Sequence, residues 1–146
     1  MTEAVLHEVF HALHLHHVAA ELMLLKPSMV VPGKLHRQQS SPAEVAAQTI
    51  AVLRRTVPAA VPSINFLSGG QTPGEATANL DAINRTRGQP WLLSFSYGRA
   101  LQEPALQAWK GQAANAAEGQ RALLDRARLN GAACAGKYSA GMEVMR

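Results

Sequence analysis

The N-terminal stretch of the chain has the pattern of an amphipathic helix. Between residues 3 and 15, apolar side chains recur at the i, i+3, i+4, i+7 spacing of one helix face: Leu6, Val9, Phe10 and Leu13. Most positions between them are polar or small, and several are histidines. The pattern predicts a helix that packs one face onto the protein and leaves its histidines in solvent.

Three short apolar runs further along the chain are predicted to be β-strands. They cover residues 22–25, 63–67 and 91–95. Each is a short run bounded by turn-forming residues rather than a regular alternation, which is typical of parallel strands that are buried on both faces. We therefore expect both faces of these strands to be covered.

Helices are predicted between and after the strands. SPAE (41–44) and TPGE (72–75) both combine an N-cap hydroxyl, a proline at the first helical position and a glutamate three residues after the cap. These capping boxes predict helices that end near residues 56 and 84. The stretch from residue 99 to about 130 is rich in Ala, Leu and Gln and is predicted to be helical, whereas residues 29–41 are expected to form a loop and the last residues to fray.

The alternation of strands and helices predicts an α/β fold with a parallel sheet. The chain has 146 residues, which suits one domain. A complete (β/α)₈ barrel needs roughly 250 residues. Three parallel strands are few for an independent sheet, so the pattern is typical of part of a larger one.

Charge, cysteine content and hydropathy exclude several classes of protein. The net charge is +4 and aromatic residues make up 5% of the chain, without the basic stripe of a nucleic-acid-binding surface. No apolar run approaches the roughly 18 residues of a membrane-spanning helix. The single cysteine, Cys134, cannot form an internal disulfide, and no signal peptide is recognisable, which favours a cytoplasmic location.

Residues with useful chemistry follow each predicted strand. Lys26 follows the first strand; Ser68, Gly69 and Gly70 follow the second; Ser96, Gly98 and Arg99 follow the third. In parallel α/β folds the carboxyl ends of the strands meet at one edge, where active sites lie. Glycines before a helix leave the backbone N–H groups open to a phosphate group, and a guanidinium can bind the same phosphate bidentately. A Gly-Gly pair alone, however, is more often a tight turn. A lysine at a strand end is a good nucleophile when its amine is removed from water, although most lysines at strand ends are solvated.

Several longer blocks in one collinear order resemble a known family. They are LLKP (24–27), MV (29–30), PG (32–33), LRRTVP (53–58), FLSGGQ (66–71) and FSYGRALQ (95–102). Together they resemble the C-terminal half of class I fructose-bisphosphate aldolase, and the similarity extends over residues 2–138. The resemblance implies that residues 1–146 form strands six to eight of a (β/α)₈ barrel with the helices that follow them, without the N-terminal half of the barrel.

The resemblance also implies roles for individual residues. Lys26 matches the lysine that forms a Schiff base with the ketose phosphate. The substrate phosphate-binding positions are matched by Ser68, Gly69, Gly70, Ser96, Gly98 and Arg99. The implied reaction is the reversible, glycolytic cleavage of fructose 1,6-bisphosphate to dihydroxyacetone phosphate and glyceraldehyde 3-phosphate. It needs no metal or other cofactor, because the protonated imine is the electron sink, and the family usually forms homotetramers.

Some positions depart from the family pattern. The first five barrel strands, which carry the family's acid–base carboxylates, have no counterpart. Leu22 and Met23 stand where the family usually has Gly and Thr. Pro104 lies in the last helical region, where a proline would kink a helix. The family's tail is missing after about Tyr138. Two hypotheses follow: a functioning aldolase, and a truncated aldolase-like chain that does not turn over its substrate.

A third, remote hypothesis is a zinc protein. His7-Glu8-Val9-Phe10-His11 is an H-E-x-x-H motif, and His17 has the spacing of a third ligand. However, His14 stands where such sites need a glycine to turn the chain. The same segment also aligns with an aldolase helix. We therefore expect a solvated helix without a catalytic metal.

Overall fold

The computed structural model describes residues 1–33 and 35–143. Its strands are β1 (Leu24–Leu25), β2 (Ser63–Phe66) and β3 (Leu92–Phe95). Its helices are α1 (Thr2–Leu15), α2 (Pro42–Thr56), α3 (Pro73–Arg85), α4 (Arg99–Trp109) and α5 (Ala116–Cys134). Three short 3₁₀ turns occupy Ala20–Leu22, Ala113–Asn115 and Ala140–Glu143.

The three strands form one parallel sheet in the order β1-β2-β3. Leu25 pairs with Ile64, Ile64 pairs with Leu93, and the ladder extends to Phe66 and Phe95. Helix α2 connects β1 to β2 and α3 connects β2 to β3, so each pair of neighbouring strands belongs to a βαβ unit. The predicted α/β class with parallel strands is therefore confirmed.

The starts of α2 and α3 follow from their sequences. The Oγ of Ser41 accepts a hydrogen bond from the backbone N–H of Glu44, and the Glu44 carboxylate accepts one from the backbone N–H of Ser41. Thr72 and Glu75 form the same reciprocal pair at the start of α3. Each box satisfies N–H groups that a helix N-terminus otherwise leaves without partners, and both predicted helix starts are confirmed.

The two faces of the sheet have different surroundings. Leu25, Ile64 and Leu93 lie side by side and are buried in the core against the helices. The residues one position earlier in each strand, Leu24, Ser63 and Leu92, lie side by side on the opposite face. Ser63 is half-buried, whereas Leu24 and Leu92 are 65% and 75% exposed. The expectation that both faces are covered is wrong, because the helices pack on one face of the sheet and the other is open. This second face is called the open face below.

The first strand is shorter than predicted. Residues 20–22 form a 3₁₀ turn, Leu22 is 89% exposed, and only Leu24 and Leu25 belong to β1. Within the described residues β1 pairs on one side only, with β2, and an isolated bridge joins Ser28 to Leu67. An apolar run at the edge of a sheet with one open face is therefore only partly buried.

The C-terminal third is more divided than predicted. The chain after β3 forms two helices rather than one continuous helical stretch, because Lys110 and Gly111 both adopt positive φ angles. Helix α4 runs through Pro104 without ending there. The expectation of fraying is wrong for residues 138–143, since the carboxylate of Glu143 accepts hydrogen bonds from Arg126 at 2.6 and 2.8 Å and one from the Tyr138 hydroxyl at 3.0 Å. Residues 144–146 lie outside the described part.

Helix α1 has the two faces that its pattern predicts. Leu6 is buried, Phe10 packs against the core, and Arg55 of α2 forms a salt bridge with Glu3 at 3.2 Å. His7, His11 and His14 are exposed, as expected for a solvated stripe. Among the described residues, no helix is both long and apolar enough to cross a membrane.

Candidate active site

The sheet register sets the neighbours of Lys26. Leu25 pairs with Ile64 and Ser28 bridges Leu67, so Lys26 lies level with Asn65 on the next strand. Asn65 in turn pairs with Ser94. Residues at one level of a parallel sheet project to the same face, and neighbouring strands are about 4.8 Å apart. Lys26, Asn65 and Ser94 therefore form a row across the open face.

The surroundings of Lys26 differ from the prediction. The sequence predicts a desolvated lysine at the end of a buried strand, whereas the Lys26 side chain is exposed. The reason is its position: it follows an edge strand and projects to the open face, which the helices do not cover. The apolar run before Lys26 therefore does not remove its amine from water.

The loop after β2 has the geometry that its glycines allow. Ser68 is buried, and Gly69 and Gly70 have φ angles of 59° and 85°. Two successive residues in the left-handed region are strained for any residue with a Cβ, so glycine is required here. The loop leads directly into the N-terminus of α3 at Pro73.

A glutamine holds this loop in place. The Nε2 of Gln71 donates to the carbonyl oxygen of Ser68 at 2.8 Å and lies 3.8 Å from the sulfur of Met29. Its Oε1 accepts from the Nδ2 of Asn79 at 2.6 Å. The sequence analysis did not find Gln71 and Asn79 as supporting residues, because the two are eight positions apart and their side chains meet only when α3 folds.

The segment after β3 forms the start of α4. The backbone N–H of Ser96 donates to the carbonyl of Phe66 at 2.8 Å, which extends the pairing of β2 and β3 by one residue. Gly98 is the N-cap of α4, and Arg99 is its first helical residue. Both are exposed. Unlike α2 and α3, this helix begins with neither a side-chain cap nor an acidic residue in its first turn.

The structure brings the three strand ends to one edge of the sheet without enclosing them together. A cleft of about 440 Å³ is bordered by Gly69 and Gly70, the first turns of α2 and α3, and Tyr138. Neither Lys26 nor Arg99 lines this cleft. The lysine and the arginine instead face open solvent at the same edge.

The buried Tyr97 and the partly buried Cys134, both near the site, are not poised for proton transfer. The hydroxyl of Tyr97 donates to the carbonyl of Ala76 at 2.8 Å, and burial raises the pKa of this phenol. The Cys134 thiol lies 3.5 Å from the Oγ of Ser94, and burial raises the pKa of the thiol above its usual range. Both groups therefore stay protonated near neutral pH and contribute to packing.

The histidines of the H-E-x-x-H motif do not converge on a closed metal site. Within residues 1–33 and 35–143, no three side chains of His, Cys, Asp or Glu come together in a way that could hold a metal ion. His17, the third residue of the motif's spacing, lies beyond the end of α1 with a φ angle of 54°.

Comparison with known proteins identifies the family. The sequence profile described as "Glycolytic: Fructose-bisphosphate aldolase class-I" matches residues 1–145. Aldolase C of Rattus norvegicus is 53% identical over 139 residues, and the aldolase of Drosophila melanogaster is 54% identical over 142 residues. These matches cover 94% and 97% of this chain but only 38% and 39% of the relatives.

The fold agrees with a solved structure of the same family. It is that of fructose-bisphosphate aldolase from Plasmodium falciparum in complex with TRAP and a small molecule inhibitor. The TM-score is 0.93 at 46% sequence identity, and the match covers 96% of this chain and 40% of that chain. Sequence and structure agree over nearly the whole of this chain, which therefore belongs to the class I fructose-bisphosphate aldolase family.

Proposed function

We propose that this chain carries the Schiff-base and phosphate-binding part of an aldolase site. The reaction is the reversible cleavage of fructose 1,6-bisphosphate to dihydroxyacetone phosphate and glyceraldehyde 3-phosphate. The observation that supports the proposal is the common edge of the sheet at which Lys26, the loop of residues 68–70 and the start of α4 lie.

Lys26 is proposed as the nucleophile. Its neutral Nζ attacks the ketone carbon of the substrate, and the resulting carbinolamine takes a proton from solvent and loses its hydroxyl as water, which leaves a protonated imine. The imine accepts the electron pair that is released when the bond between the next two carbon atoms breaks. The hydroxyl-bearing carbon departs as the aldehyde and gives its hydroxyl proton to solvent, so the step requires no metal. The side-chain amide of Asn65, the neighbour of Lys26 in its row, can donate a hydrogen bond to a substrate hydroxyl, whereas the Ser94 hydroxyl lies against the Cys134 thiol of α5.

The substrate phosphate is proposed to bind between two helix N-termini. Gly69 and Gly70 leave the backbone open to an anion at the start of α3, and Ser68 and Ser96 complete that side. On the other side, Gly98 precedes α4 and Arg99 supplies a planar pair of donors. A cation in the first turn of an uncapped helix is unfavourable by about 0.3–1 kcal/mol, and a bound phosphate offsets that repulsion because it is attracted both to the helix N-terminus and to Arg99.

The rate of cleavage is expected to be low in this chain by itself. Neither Asn65 nor Ser94 can act as a general acid or base near neutral pH, and such groups typically contribute about 10²–10⁴-fold each. The second candidate function is an aldolase-like chain that binds ketose phosphate and forms the imine without turning the substrate over, and the chemistry of this row is compatible with it.

Trapping the imine tests the proposal. The chain is incubated with dihydroxyacetone phosphate, reduced with borohydride and mapped by mass spectrometry. We expect an adduct on Lys26 that is absent in Lys26→Ala and weaker in Arg99→Ala. Lys137→Ala and Arg87→Ala, which change exposed cations outside the site, are matched controls and should leave the adduct unchanged.

Two outcomes separate the candidate functions. An adduct on Lys26 together with measurable cleavage of fructose 1,6-bisphosphate supports a working aldolase, and the adduct without cleavage supports the imine-forming chain. An adduct on another lysine, or one that is indifferent to both Lys26→Ala and Arg99→Ala, contradicts the proposed site.

Location and assembly belong to the same proposal. A glycolytic role favours the cytoplasm, and the family resemblance favours a homotetramer. Cell fractionation tests the first, and light scattering coupled to size exclusion tests the second.

A further inference from the structure

The exposed stripe of histidines on α1 has no role in the proposed aldolase chemistry. The helix is attached to the body of the protein by its opposite face, through the buried Leu6 and the partly buried Phe10. An exposed salt bridge between Glu3 and Arg55 also joins its N-terminal turn to α2. The backbone that carries the histidines is therefore held as a regular helix before any ligand arrives.

The spacing of two of these histidines suits a shared ligand. His7 and His11 are four residues apart in the same helix and both are exposed. Residues at i and i+4 are neighbours on a helix surface, with Cβ atoms about 5–6 Å apart. Two imidazoles at that separation can bind one metal ion from the same side, without movement of the backbone.

We propose that His7 and His11 form an open, two-imidazole binding site for a divalent transition metal ion such as Zn²⁺. Glu3, one turn before His7, is paired with Arg55, so the remaining coordination positions are filled by water. Imidazole ligands select Zn²⁺, Cu²⁺ and Ni²⁺ over Mg²⁺ and Ca²⁺, which prefer oxygen ligands.

His14 is the residue most easily mistaken for the second ligand. It lies three residues after His11, but in the last turn of α1, which ends at Leu15. His7 and His11 are each followed by at least one further turn of α1, whereas only Leu15 follows His14 within the helix. The helix interior therefore favours the pair of His7 and His11.

The site is a binding site rather than a hydrolase centre. Glu8 has the position of the general base in an H-E-x-x-H motif, but it is exposed, as are both histidines. A catalytic zinc centre needs a third protein ligand and a shaped cavity that excludes water. We expect no chelator-sensitive peptidase activity from the metal-loaded chain.

Zinc titration of the full chain, made without a histidine tag, tests the proposal. Zn²⁺ is titrated by calorimetry, and Mg²⁺ serves as the negative control ion. We expect one saturable Zn²⁺ site, weakened by about 10²-fold in His7→Ala and in His11→Ala, because a second tethered ligand strengthens binding by at least that factor. His14→Ala and His36→Ala should bind Zn²⁺ as the parent chain does.

The helical circular dichroism of each variant shows that the chain still folds. Absence of saturable binding would overturn the proposal, as would a loss in His14→Ala that spares His7→Ala. Equal Zn²⁺ affinity in the parent and in His11→Ala would mean that the metal binds elsewhere.

Discussion

Two leucines on the open face of the sheet should control self-association of the chain. Leu24 on β1 and Leu92 on β3 lie at the same level, on either side of Ser63, and are 65% and 75% exposed. Exposed apolar side chains favour association with another sheet, and among residues 1–33 and 35–143 both edges of this sheet are without a strand partner. Replacing both with threonine removes apolar surface and keeps a residue type that strands favour.

The size of the effect follows from their exposure. Complete burial of a leucine side chain is worth about 1.5–3 kcal/mol, so burial of the exposed part of both contributes about 2–4 kcal/mol per chain. Because each 1.4 kcal/mol is a tenfold change and both chains of an associated pair carry the substitutions, Leu24→Thr/Leu92→Thr should weaken self-association by at least about 30-fold. The core is expected to be unaffected, since both side chains lie on the face away from Leu25 and Leu93.

Sedimentation velocity over a range of protein concentrations measures this change. Leu124→Gln is the matched control: Leu124 is 69% exposed, but it lies on α5, away from the open face. The reasoning is refuted if the parent chain is a monomer with a sharp cooperative melt. It is also refuted if Leu124→Gln reduces association as much as the double variant does.

Three further changes test other parts of the structure. Thr72→Ala removes the capping box with Glu75 and should lower the free energy of unfolding by about 1 kcal/mol in urea titrations, whereas Thr72→Ser should not. Burial and the hydrogen bond to Glu143 raise the pKa of Tyr138 to about 12. The contribution of the protonated Tyr138 hydroxyl to the free energy of unfolding is therefore complete below the unfolded pKa near 10 and is lost as the pH rises from about 10 to 12. Tyr138→Phe should remove that part of the alkaline destabilisation, and an unchanged pH profile of unfolding would contradict the assignment. Cys134 should react with a thiol reagent at pH 8 more slowly than glutathione does, because burial raises its pKa, and equal rates would show that the thiol is not buried.

Helix starts and the order of elements were predictable because their causes lie within a few residues of sequence. The capping boxes at Ser41 and Thr72 involve partners three positions apart, and both form as predicted. The meeting of the strand ends was predictable for a different reason: consecutive βαβ units place successive parallel strands side by side with their carboxyl ends at one edge. The positions of Lys26, Ser68 and Gly98 at that edge follow from this rule.

Burial was less predictable, because it depends on what packs against a residue from distant parts of the chain. The run of residues 22–25 is equally apolar throughout, yet Leu25 faces the helices while Leu24 and Lys26 face the open side. A strand has a side-chain period of two, so its placement in the sheet decides which residues are covered. The predicted desolvation of Lys26 is wrong for this reason.

Contacts between distant residues were decided by tertiary structure alone. Arg126 and Glu143 are 17 positions apart and join α5 to the last described turn, where the sequence predicts fraying. Gln71 and Asn79 hold the glycine loop through amide contacts that no local pattern signals. By itself, the sequence determined the starts of α2 and α3, the order of the strands and of the helices between them, and the edge at which the candidate site lies. The packing of helices on one face of the sheet decided which side chains are buried, because burial is a property of the assembled layers and not of the strand.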